Sequence, residues 1–116
     1  VIYRLRADAC VYGESSLFVI FLEPCRLRQA CDRSRCGLDH TSLQTYRSPG
    51  LYHLLRLAMI VHGVDIPAYH GWMSCVHSEE DLARTAAAFE GALGMLLEAG
   101  LVGQADPPRI PAGTAG

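Results

Sequence analysis

Lysine is absent from all 116 residues, so the ten cationic side chains are all arginine. Without a lysine amine, no Schiff base can form on a lysine of this chain, and no phosphate loop can supply one. Charge is sparse at 19% of residues, with a formal net charge of −2. Such a balance lacks the basic face of a nucleic-acid binder. Long apolar runs are missing as well. The longest, Leu17 to Leu22, has the length of a strand, far short of the roughly 18 residues of a membrane span. Arg4, Arg6 and Asp8 interrupt the N-terminus and no long apolar core follows, which argues against a secretory signal. A cytoplasmic protein with no nucleic-acid or membrane partner is expected. The sequence starts at Val1 rather than methionine, which reads as a processed, trimmed or partial chain.

Half of the residues are apolar, enough for one modest core in one domain. The five cysteines (Cys10, Cys25, Cys31, Cys36 and Cys75) are odd in number. Without a secretion signal they read as reduced thiols.

Ala7–Tyr12 and Ser16–Leu22 carry the β-branched and aromatic residues of two strands, with a turn at Gly13-Glu14-Ser15. The second strand is apolar on both faces, which predicts a central, covered position. Pro24 ends it. Residues 24–48 have no clean period, hold three of the cysteines, and read as a long irregular loop. Ser48-Pro49 is a helix start. Leu51, Leu54, Leu55, Ala58, Met59 and His62 follow on one face, and Gly63 is the stop. Val64–Ile66 is expected to be extended and Trp72–Val76 to be a short strand. The clearest helix starts at Ser78, with Asp81 three residues on in a capping-box variant. Leu82, Ala86, Phe89, Leu93 and Leu96 repeat at helical spacing, and Gly100 ends the helix. Residues 1–103 form the expected domain, and residues 104–116, rich in proline, read as a disordered tail. The fold class implied is α+β: a small, mainly antiparallel sheet with helices packed on one face.

Several residue groups carry potential chemistry. Cys25, Cys31, Cys36 and His40 have ligand-type side chains, but their gaps of five, four and three residues are wider than a zinc knuckle uses. Free loop thiols are the simpler reading. Cys75 and His77 would share one face of a strand, where a histidine activates a thiol. The plainer reading is a small buried cysteine beside a strand-end histidine. Tyr69-His70-Gly71-Trp72 is rich in aromatics between short strands. It suits a ligand pocket and equally a turn whose tryptophan plugs the core.

Two segments carry a resemblance. Val11-Tyr12-Gly13-Glu14-Ser15-Ser16-Leu17-Phe18 resembles the strand that opens the C-terminal domain of class III pyridoxal-phosphate aminotransferases, closest to the glutamate-1-semialdehyde aminomutase-like branch. His62-Gly63-Val64-Asp65-Ile66, the loop to Trp72, and Ser74-Cys75-Val76-His77-Ser78-Glu79-Glu80-Asp81-Leu82 resemble the end of that domain. Order and spacing match over residues 7–100. The resemblance implies the small domain of a fold-type I enzyme, which closes one side of the active site and supports a homodimer. A large domain carries the lysine that holds pyridoxal 5'-phosphate and the aspartate that pairs with its pyridine nitrogen. This chain alone would bind no cofactor covalently and catalyse nothing. The pocket residues implied are Tyr69, His70, Gly71, Trp72 and Ser16. The glutamate of the aminomutase pocket loop has no counterpart in Tyr69-His70-Gly71, which implies a general aminotransferase-like relative. The alternatives are a free-standing binding or dimerisation module and a small zinc or thiol protein built on the cysteine loop.

Overall fold

The computed structural model describes residues 1–22, 41 and 48–104. The element order is α1 (Ile2–Leu5), β1 (Cys10–Glu14), β2 (Leu17–Phe21), α2 (Pro49–Val61), β3 (His70–Trp72) and α3 (Glu79–Glu98). The cysteine and arginine loop, with Cys25, Cys31, Cys36 and His40, lies outside the described residues, as does the tail from 105 onward.

β1 and β2 form a hairpin in which Cys10 faces Phe21 and Glu14 faces Leu17. Only Ser15 and Ser16 lie between the strands, and Ser15 takes a left-handed backbone with φ of +56°. That is the backbone a two-residue connection needs to match the twist of its strands. β3 pairs antiparallel with β2, so the sheet order is β1-β2-β3 and β2 is central, as its apolar run predicts. The third strand sits earlier than expected. It spans His70–Trp72, while Cys75 and Val76 form a turn, and Val64–Ile66 runs outside any strand.

α2 begins with Pro49 at its first position, but the Ser48 side chain makes no capping bond. The start rests on the proline ring's fixed φ. Gly63, at φ +85°, turns the chain out of α2, and the Val64 amide donates to the Met59 carbonyl. In α3 the Ser78 hydroxyl accepts from the Asp81 amide at 3.1 Å, and the Asp81 carboxylate accepts from the Ser78 amide at 2.8 Å. This is the reciprocal capping box read from the sequence. The short α1 was not legible. The Arg6 left-handed cap closes it, and an exposed Arg4–Glu90 ion pair of 2.6 Å links it to α3.

One apolar cluster joins these elements. Leu55, Ala58 and Met59 of α2 meet Phe89, Ala92, Leu93 and Leu96 of α3, and Ile20 and Leu22 come in from the sheet. Phe18, Ile20 and Leu22 alternate along the chain, so they share the sheet face that the helices cover. Each fully buried leucine here is worth roughly 1.5–3 kcal/mol of transfer free energy. Leu82 departs from the periodic expectation. It is 39% exposed while Phe89 and Leu93 are buried, so only the second half of α3 docks as predicted. The fold is α+β, with a three-stranded antiparallel sheet and helices against it.

Candidate functional site

The alternation of strand residues sorts the sheet into two faces. Val11, Phe18, Ile20 and Gly71 share the face toward the helices, as the registers Val11↔Ile20 and Phe18↔Gly71 require. A cleft of about 440 Å³ lies against this face, within the size range of ligand pockets. Its walls are Val64, Ile66 and Pro67 on one side and Leu82, Ala86 and Phe89 of α3 on another, with Trp72 and Met73 from β3 and the residue after it.

Its polar groups are few and mostly engaged. The Ser74 amide donates to His77 Nδ1 at 3.0 Å, so the neutral ring carries its proton on Nε2. Asp81 is held below the usual carboxylate range, first by the Ser78 backbone hydrogen bond and then by the Ser78 hydroxyl. Thr85 donates its hydroxyl to the Asp81 carbonyl. Asp65 is likewise held low, chiefly by its hydrogen bonds with Arg56 at 2.7 and 2.9 Å. Among the described residues no lining residue is an arginine.

The proposed pocket residues do not all reach the cleft. Gly71 and Trp72 line the cleft. A Cβ on Gly71 would lie 2.4 Å from the Phe18 ring, so the glycine makes room for that ring. Tyr69 and His70 do not line the cleft. They belong to an aromatic series in which Tyr69 packs edge-on to Tyr52 at 5.7 Å. His70 lies 4.8 Å from Tyr69 and 4.6 Å from Trp72. His70 Nδ1 is buried and has no hydrogen-bond partner among the described residues. Ser16 sits in the hairpin turn, where its carbonyl accepts from the Met73 amide at 2.7 Å. Trp72 is 60% exposed, so it is not a core plug.

The Cys75–His77 pairing does not form. Cys75 is exposed in a turn rather than on a strand, and the ring nitrogen that would face it is taken by the Ser74 amide. Among the described residues no group of histidine, cysteine and carboxylate side chains can hold a metal. No described helix is long and apolar enough to cross a membrane. Sequence reasoning missed Phe18, Ile66, Met73 and Asp81 as cleft residues. Only strand parity, which pairs Phe18 with Gly71 once β2 and β3 are set side by side, would have found any of them. No known family, curated protein or solved structure matches the chain.

Proposed function

We propose that this chain is the C-terminal small domain of a class III aminotransferase-like enzyme that uses pyridoxal 5'-phosphate. In the complete protein it closes one side of the active site and supports a homodimer. One observation carries the reading. The two segments with the resemblance are far apart in sequence, yet β2 and β3 pair directly, with Phe18 opposite Gly71. Both then line one cleft, together with the capped start of α3. An accidental likeness of two separate stretches gives no reason for them to be neighbours.

The chain's own residues do not fit the cofactor. It has no lysine to hold an aldehyde, and among the described residues that line the cleft there is no arginine for a phosphate. Arg56 is paired with Asp65, which lines the cleft. The cofactor is therefore the business of the large domain, and no catalytic step is assigned to this chain. Its part is to exclude water and to present β3 at the boundary of the site.

The test is complementation. The small domain is deleted from a class III aminotransferase, and this chain is fused in its place. Amino transfer from donor to cofactor is followed by the loss of aldimine absorbance. The expected result is a rate above that of the large domain alone. If the enzyme's own small domain restores transfer in the same format and this chain does not, the proposal fails.

A further inference from the structure

We propose that the outer edge of β3 is a docking site for an extended segment of a partner polypeptide, one with alternating apolar side chains and basic residues. The proposal stands on the backbone and surface of this domain and does not depend on the aminotransferase reading.

The backbone pattern comes first. The Met73 amide donates to Ser16, and the Ile20 amide donates to Tyr69, both at 2.7 Å. With Phe18 opposite Gly71, these bonds fix which β3 residues face β2. Antiparallel ladders alternate, so His70 and Trp72 direct their backbone groups away from β2. The His70 amide is taken by the Pro67 carbonyl at 3.1 Å. The His70 carbonyl, the Trp72 amide and the Trp72 carbonyl therefore face outward on an edge strand. Natural edges are blunted by shortness, by charge, by proline or by a covering element. β3 is short, at three residues, but His70-Gly71-Trp72 carries no lysine, proline or carboxylate.

The surroundings define the partner. Trp72, Met73 and Leu82 are exposed apolar residues, and all three border the cleft. An added strand would place the residue opposite Gly71 on the covered sheet face, against the Phe18 ring. Its neighbours would lie over Trp72 and His70. Charge gives the sign. Glu79, Glu80 and Asp81 form the first turn of α3. Asp81 lines the cleft, as Trp72 does; Arg84 meets Glu80 at 3.5 Å and, with His77, also acts on Asp81. The turn still sets three carboxylates against one arginine, so basic residues in the incoming strand are complementary. Backbone pairing supplies affinity and alternate side chains supply selectivity, as in other strand-addition complexes.

The experiment uses the full chain and a fluorescently labelled peptide, Arg-Val-Thr-Val-Arg-Val, followed by polarisation. Trp72, the sole tryptophan, reports independently by its emission. Saturable binding with a blue shift of Trp72 is expected. A peptide N-methylated at alternate residues, and the Glu-Val-Thr-Val-Glu-Val peptide, should each bind at least tenfold more weakly. Trp72→Pro removes an outward amide without touching the β2 ladder and should abolish binding while the circular dichroism stays native. If that variant does not fold, Glu79→Gln takes its place, with a severalfold loss expected for the basic peptide and none for a neutral Thr-Val-Thr-Val-Thr-Val peptide. Equal binding of the N-methylated peptide, or no saturable binding, overturns the proposal. So does a Trp72 amide already protected from exchange, either in the monomer or in a concentration-dependent dimer. The edge would then belong to this chain or to a second copy.

Discussion

Gly91 and Gly94 stand three residues apart in α3, and replacing each by alanine should affect stability differently. On propensity alone both changes favour the helix, because alanine is better than glycine by about 0.8–1 kcal/mol in a helix interior. Gly94 has nothing within 4 Å of an added Cβ, so Gly94→Ala should realise most of that gain. At Gly91 the same Cβ would come within 2.3 Å of His62 Nε2. The ring is not free to swing aside, because its Nδ1 is hydrogen-bonded to the Ala58 carbonyl at 2.9 Å. Moving it sacrifices that bond, worth about 0.5–1.5 kcal/mol, and forcing the helices apart instead costs roughly 1–3 kcal/mol. Set against the propensity gain, Gly91→Ala comes out between roughly neutral, if the ring moves, and about 2 kcal/mol destabilising, if the helices part, and in both cases below Gly94→Ala. For a domain of this size that shifts the thermal midpoint by roughly 4–8 °C per kcal/mol. The assay is thermal and urea unfolding of both variants, with and without His62→Ala. Removing the ring should make Gly91→Ala stabilising and leave Gly94→Ala unchanged. If Gly91→Ala raises the midpoint as much as Gly94→Ala does, α2 and α3 do not meet at His62 and the helix pairing described above is wrong.

Phe89→Ala should cost about 3–5 kcal/mol, since the ring is buried in the main cluster; an unchanged unfolding midpoint would show that α3 is not docked by that face. Ser78→Ala removes one half of the capping box and should cost about 1 kcal/mol, read by the same denaturation curve. Asp81 is lowered in the folded state by its bonds to Ser78, so it contributes stability above the unfolded carboxylate pKa. That contribution is lost as pH falls through the folded value, and Ser78→Ala should flatten the acid limb of the stability profile; an identical limb in the variant would refute the assignment.

What the sequence revealed follows local rules, and what it hid follows tertiary ones. The capping box at Ser78, the proline at the start of α2 and the glycine turn at Gly63 are each decided within a few residues, so they could be read directly. The strand over Trp72–Val76 was misread because Trp72, Met73 and Val76 carry the content of a β-strand. The pairing that makes a strand is instead set by β2, whose turn at Ser15-Ser16 places Ser16 against Met73. Beyond it the His77 ring accepts the Ser74 amide and bends the chain. Leu82 was misread for the complementary reason. Its helical spacing matches that of Phe89 and Leu93, but spacing reports which side of a helix a residue is on, not whether anything lies opposite. Opposite Leu82 the cleft begins.

The same limit explains why the cleft and the open edge were invisible beforehand. Alternation along β2 was legible, but its partner strands and their order were not, and an edge exists only by virtue of that order. With β1 and β3 both joined to β2 and to nothing else among the described residues, a twenty-residue helix shares one apolar cluster with a sheet of three short strands. A helix of that length spans roughly 30 Å, whereas a five-residue strand runs about 17 Å and three strands lie about 14 Å across, so the sheet cannot cover the whole helix in either direction. The first turns of α3, with Leu82 and Ala86, are the part left over. They keep apolar surface in water, Leu82 being 39% exposed, beside the charged Glu79 and Glu80. An apolar helix start beside a strand edge left open among the described residues is therefore a consequence of helix length exceeding the extent of the sheet, which a longer or wider sheet, not a change in any one side chain, would remove.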